Sequence, residues 1–271
     1  MGKITALAGN QRTLYQIDAF ADKVFSGNPA AVVPLENWLP EDTMQHIAME
    51  NNLSETAFIV KEGERFAIRW FTPTAEVDLC GHATLATAFV IFRYLEPDTQ
   101  EIEFDSRSGL LSVTRKGSKM RMDFPKDLPQ SLSKQKGEID GVIGGNTVAV
   151  MKGKDDILAI LATQLEVEKI RPDFGLMSKL DCRGLIVSAV GENYDFVSRC
   201  FYPNYGVNED PVTGSAHCLL APYWSEVLHK KTLNARQLSR RGGSLTCKVG
   251  ENRVYLSGTC VPYMIGEITL P

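Results

Sequence analysis

The chain has 271 residues, of which 44% are hydrophobic and 23% charged, with a formal net charge of −4. Such a chain forms one large soluble domain or two of ordinary size, with apolar side chains enough for a sizeable core. Acidic and basic residues are interspersed without a basic stripe, which argues against a nucleic-acid partner, and apolar stretches such as 86–92 are too short to span a membrane.

Residues 1–6 contain no long apolar run with a cleavage site, and Ala6 stands where a myristoylation start carries Ser or Thr. Alternating β-branched and aromatic residues predict strands over 14–20, 30–34, 56–60, 66–71, 101–105 and 109–115. A helix is expected over 41–51, opening on acidic residues that suit a positive helix end. Residues 81–95 are apolar nearly all round and read as a helix buried inside a sheet. The Pro-, Ser-, Lys- and Gln-rich segment 127–137 reads as a linker. Beyond it, strands are expected at 147–151, 184–190, 195–201 and 245–249, with a second buried helix over 214–229 bent at Pro222. The strand-like end, 263–270, is expected to cross back to the first half. The expected domains are thus 1–126 with 262–271, and 138–261. Six scattered cysteines without a Cys-x-x-Cys pair read as reduced thiols of a cytoplasmic protein, not as a disulfide framework or zinc site.

An internal repeat organises these elements. Residues 69–84, Arg-Trp-Phe-Thr-Pro-Thr-Ala-Glu-Val-Asp-Leu-Cys-Gly-His-Ala-Thr, have a degenerate echo in 199–217, Arg-Cys-Phe-Tyr-Pro-Asn-Tyr-Gly-Val-Asn-Glu-Asp-Pro-Val-Thr-Gly-Ser-Ala-His. Cys80-Gly81-His82 corresponds to Thr213-Gly214-Ser215 at an offset of 133, and Glu76 to Glu209 at the same offset. A period of about 130 residues is a domain duplication, not a solenoid. Strands curling around one apolar helix, twice, give an α+β fold of two half-barrels. The unlike reactive tips of the two copies suggest one active site between related halves.

Several residues are candidates for chemistry. Glu55 lies where a helix gives way to the apolar run 56–60, surroundings in which a carboxylate's pKa rises from about 4.3 towards 6–7 and serves acid–base catalysis. It also reads as a solvated turn residue. Gly81 and Gly214 open helices whose free N–H groups can grip a carboxylate or phosphate, so a small anionic substrate is expected. Ser215 or Thr213 equally reads as a plain helix cap. His82 can donate to a substrate or hold a proton, or be structural. Cys80 is a possible thiolate base, its pKa lowered at a helix N-terminus. A two-thiol mechanism needs a second cysteine, and Thr213 occupies that position. Asp210 can orient a substrate amine or hydroxyl, or start an Asp-Pro turn; Asn28, in a Gly-Asn-Pro turn, offers amide hydrogen bonds. No metal-ligand spacing and no phosphate loop is present.

Taken together, the Gly27–Val33 motif, 51–58, 78–84 and 209–217 resemble the PhzF-like phenazine-biosynthesis family, over essentially the whole chain. The resemblance implies a diaminopimelate epimerase-like fold of two pseudo-symmetric halves, each a β-barrel around a central helix. It implies an isomerase that moves a proton without metal or organic cofactor, and a homodimer. By the same resemblance Glu55 is the catalytic glutamate, while Ser54, His82, Asp210 and Ser215 contact substrate and the Gly81 and Gly214 amides hold its carboxylate. Two other readings stay open: a one-cysteine epimerase or racemase of an amino or hydroxy acid, and a non-catalytic binding module on the same fold.

Overall fold

The computed structural model describes residues 10–270, so the expectations for residues 1–6 lie outside it. The chain divides into two compact units, Met1–Asp123 with Ser257–Pro271, and Phe124–Leu256. The sequence reading placed the corresponding breaks at 126 and 261.

In the first unit, β1 (Gln11–Ala19) pairs antiparallel with β2 (Asn28–Leu35) and, on its other side, with the last strand of the chain, Cys260–Thr269. β2 runs parallel to β3 (Glu55–Glu62), with α1 (Glu41–Asn51) as the crossover. β3 is antiparallel to β4 (Arg65–Phe71), which also pairs with the short β5 (Glu76–Val77). α2 (Gly81–Val90) then leads to β6 (Glu101–Ser106), parallel to β4, and β7 (Gly109–Lys116) and β8 (Lys119–Pro125) follow as antiparallel neighbours.

Burial explains the sequence pattern of these strands. Ala57, Phe58, Ile59 and Val60 are all buried, because β3 is covered on both faces. Phe58 and Val60 share a core with Met44 and Ala48 of α1, so the alternate residues point the other way, toward α2. A strand covered on both sides reads as a continuous apolar run rather than an alternation. All of α2 except Gly81 and Phe89 is buried. Its short Ala and Thr side chains let the strands approach. Thr84 and Thr87 donate to the carbonyls of Cys80 and Ala83 at 2.6 and 2.7 Å, which satisfies hydroxyls that would otherwise be buried alone. The expected helix over 81–95 is α-helical only to Val90; Ile91–Leu95 form a π-helical turn.

The second unit holds β9 (Gln130–Ser131), α3 (Lys136–Ile143), β10 (Ala149–Lys152), β11 (Asp156–Ile160), α4 (Gln164–Lys169), α5 (Phe174–Met177), β12 (Gly184–Val190), β13 (Phe196–Tyr202) and β14 (Val207–Asp210). After these come α6 (Ala216–Val227), β15 (Thr232–Gln237), β16 (Gly243–Val249) and β17 (Arg253–Gly258), and β18 is the strand Cys260–Thr269 that returns to the first unit. Residues 127–137, expected as a linker, instead carry β9, a 3-10 turn and the start of α3. β11 is parallel to β12, β12 antiparallel to β13, β13 parallel to β15, and β15 antiparallel to β16. That succession is the same as β2, β3, β4, β6 and β7 in the first unit. The duplication read from the sequence is therefore a duplication of strand pairing. Among the described residues no helix is long and apolar enough to cross a membrane.

Candidate active site

The tight turn before β2 sets the first element of the site. Gly27 has φ +71, and a Cβ there would stand 2.2 Å from the carbonyl oxygen of Ala19, so only glycine fits. The turn delivers Asn28, fully buried, to the start of β2 beside the start of α2. Its Nδ2 lies 3.2 Å from Nδ1 of His82, and its Oδ1 accepts from the Ser54 hydroxyl at 3.2 Å. With Nδ1 accepting from the amide, the imidazole proton sits on Nε2. That nitrogen faces Oε2 of Glu55 at 3.0 Å. The two atoms meet outside the angle of a straight hydrogen bond, and neither has another partner of its own. Ser54, Asn28, His82 and Glu55 thus form one chain, anchored at the ends of β2, β3 and α2.

Burial opposes a positive charge on His82, yet Cys80 and Glu55 beside it raise its pKa well above the ordinary value. In either charge state Nε2 keeps a proton toward Glu55. Cys80 is the residue before α2 and its Sγ stands 3.5 Å from Nδ1 of His82. Its thiolate expectation is corrected. Burial, reinforced by the Glu55 charge, pushes the thiol up to about 11, against whatever the helix start contributes. Cys80 is a thiol at neutral pH.

Glu55, Cys80 and His82 also bring an oxygen, a sulfur and a nitrogen within 4.8 Å of one another, a donor set able to hold a metal ion that linear spacing did not reveal. In the observed arrangement Sγ addresses Nδ1 while Oε2 addresses Nε2, so the imidazole stands between the other two donors.

In the second unit the corresponding helix start is built differently. Gly214 and Ser215 precede α6, which begins at Ala216 rather than at 214. Ser215 does not cap the helix with its side chain. Its Oγ instead accepts from Nη2 of Arg183 at 3.1 Å. Arg183 is held by both oxygens of the buried Asp156 and lies over the Tyr202 ring, 5.3 Å from its centroid. Asp210 accepts from the Thr213 hydroxyl, and the buried Gln237 ties this turn down. Gln237 accepts from the Thr213 amide at 2.9 Å and donates to the Asp210 carbonyl at 2.7 Å. Arg183, Asp156 and Gln237 were not singled out from sequence, since each lies on a strand or just before one, far in sequence from the motif it supports. His217 is tied into the same turn: Nδ1 donates to the Thr213 carbonyl at 2.8 Å, and burial lowers its pKa to about 4.

Comparison with known proteins assigns the fold and then the family. A hydroxyproline epimerase from Agrobacterium vitis superposes with a TM-score of 0.61 at 9% identity, over 97% of this chain and 94% of that one, which shows the diaminopimelate epimerase-like fold. A PhzF-family protein from Enterococcus faecalis superposes with a TM-score of 0.93 at 50% identity, covering 96% of this chain and 100% of that one. An uncharacterized isomerase of Pseudomonas aeruginosa is 48% identical over 95% of this chain and 99% of its own length. The family model described as phenazine biosynthesis-like protein matches residues 17–266. The chain belongs to the PhzF-like phenazine-biosynthesis family.

Proposed function

We propose that this protein is a cofactor-independent isomerase that moves a proton on a small carboxylate-bearing substrate, with Glu55 as the acid–base group. The contact between Glu55 and His82 carries this reading. A buried imidazole N–H, fixed through Asn28 and Ser54, orients one carboxylate oxygen and leaves the other for a substrate carbon. Glu55 would take a proton from an acidified carbon and return it at another. A positioned acid–base group of this kind contributes about 10²–10⁴-fold in rate. In the second unit, Ser215 has a role consistent with substrate binding. Its oxygen is engaged by the Arg183 cation, so its hydroxyl proton is left to donate to an anion. Asp210 would bind a substrate amine or hydroxyl. The helix-start amides beside Gly81 and Gly214 would hold the carboxylate. The homodimer expected of the family belongs to this proposal and is read by light scattering of the purified chain.

Incubating the protein in heavy water with a pool of small carboxylates identifies the substrate as the compound that gains deuterium. Glu55→Gln, which keeps the shape of the side chain, is expected to slow that exchange by about 10²–10⁴-fold while leaving the fold intact. Full exchange in this variant overturns the assignment. A one-cysteine epimerase is the second reading, favoured by the 3.5 Å contact between Cys80 and His82. Cys80→Ser separates the two: the glutamate mechanism predicts a near-normal rate, the thiol mechanism a large loss.

A further inference from the structure

We propose that the first unit carries a second ligand site, separate from the Glu55 centre, that takes a flat aromatic monoanion such as an aryl carboxylate. A hollow of about 600 Å³ opens beside the far end of α2, walled by Phe89, Phe92, Met120 and Val261 and bordered by Arg93 and Arg115. Its volume lies within the range of small-molecule sites, which combine apolar walls with a few placed polar groups. Phe92 stands roughly 16 Å along the helix axis from Gly81, so the hollow is remote from the Glu55–His82 pair.

The charges of the lining define the ligand. Arg93 lies on the π-helical turn, its guanidinium 6.0 Å from the Phe89 ring centroid and 5.7 Å from that of Tyr94. Among the described residues it meets no carboxylate. Arg115 donates to the carbonyls of Phe92 and Pro97 at 3.2 and 2.9 Å, which fixes its position and leaves its charge uncompensated. Asp22 is the one carboxylate of the lining, and burial keeps the Cys260 thiol protonated. Two guanidinium groups against one carboxylate leave a single positive charge. A monoanion neutralises it, and Arg93 has the planar fork that binds a carboxylate through two parallel bonds. The half-buried Phe89 ring supplies an apolar surface for a flat body, which a bare phosphate would not use. The π turn is a second, independent sign, because such irregular turns recur where a function depends on them.

The test uses 2-naphthoate titrated calorimetrically into the intact protein. One binding event per chain is expected. Arg93→Ala, at an exposed position, should weaken it about tenfold or more, the loss of a charge-assisted pair, while the melting temperature stays at the parent value. Arg93→Lys should weaken it less, and uncharged 2-naphthalenemethanol should bind about tenfold more weakly than 2-naphthoate. Glu55→Gln should leave the affinity unchanged. The proposal is overturned if 2-naphthoate does not bind, if Arg93→Ala binds it as well as the parent, if Glu55→Gln is the variant that loses it, or if inorganic phosphate binds as tightly. None of these outcomes depends on the isomerase reading.

Discussion

The two units keep the same internal braces but arm their central helices differently. In the first, Arg69 grips both oxygens of Glu76 at 2.7 and 2.6 Å and lies 5.2 Å from the Phe71 centroid. In the second, Arg199 grips Glu209 at 2.7 and 2.9 Å and lies 5.1 Å from the Phe201 centroid. Near the start of each helix, Thr84 and His217 occupy equivalent positions, and each donates to the carbonyl four residues earlier. Only at the tips do the copies part. His82 meets a carboxylate, and Ser215 meets a guanidinium that is itself held by Asp156. Duplication has preserved the bonds that hold each strand-to-helix turn, and the chemistry has diverged in the two or three residues those bonds position.

The largest expected effect follows from that asymmetry. Glu55→Gln should cost about 10²–10⁴-fold in deuterium exchange with the identified substrate, mostly in kcat, whereas Ser215→Ala should raise KM about tenfold with kcat nearly unchanged. Equal losses in kcat from both would show that the two tips share the chemistry. Arg183→Met comes next. Burial pushes the Asp156 carboxyl up more than the guanidinium draws it down, so removing the cation strands a poorly solvated acid. A loss of about 3 kcal/mol in urea unfolding is expected. Adding Asp156→Leu should recover stability but not KM, because Ser215 would still lack the donor that fixes its hydroxyl.

The frame of this comparison was legible in the sequence and its wiring was not. Glu76 and Glu209 align by simple offset, as do the Gly-containing turns, because the duplication left the local order intact. The strand β11 escaped notice since Asp156–Ile160 is buried throughout and shows no alternation. α4 and α5 are short and each buries a single residue, Val167 and Met177, while the eight-residue α3 buries Ile139, Val142 and Ile143 on the same core, too few turns for a helical period to emerge. Ser54, Glu55 and His82 were nameable from motif. Their joining through Asn28 was not, because Asn28 and His82 are 54 residues apart and meet only through the pairing of β1 with β2 and the packing of α2. Cys80 misled in the opposite way: the helix start suggested a thiolate, and complete burial reverses the sign.

The Thr84–His217 equivalence gives a pH test. Burial lowers the His217 pKa from the ordinary 6.5 to about 4, so the unfolded chain takes up a proton that the folded chain refuses. Its contribution is therefore complete above about pH 6.5 and is lost as pH falls towards 4, amounting to about 3 kcal/mol over that window. His217→Thr installs the first unit's solution. It should lower stability at pH 7 by leaving space beside Phe196, yet flatten the decline between pH 6.5 and 5, where most carboxylates stay ionised. A slope unchanged from the parent would mean that His217 does not titrate on unfolding.

The smallest difference separates the two braces themselves. Glu76 is also held by Arg107 at 2.6 Å, and Arg69 reaches Glu41 as well, so Arg69→Met leaves the buried carboxylate one cation. Glu209 has no second cation among the described residues. Arg199 moreover donates to the carbonyls of Val167 and Ile170 at 3.2 Å each, tying the end of α4 to β13. Arg199→Met should therefore cost more than Arg69→Met, by about 1 kcal/mol in parallel urea titrations. Salt sharpens the contrast. The network around Glu76, shared with the exposed Glu41 and Arg107, should weaken at high ionic strength, while the Arg199 guanidinium, less exposed than that of Arg69 and fixed by two carbonyls, should hold. If both variants lose the same stability at every salt concentration, the extra bonds of Arg199 contribute nothing. The two braces would then be equivalent in energy as well as in geometry.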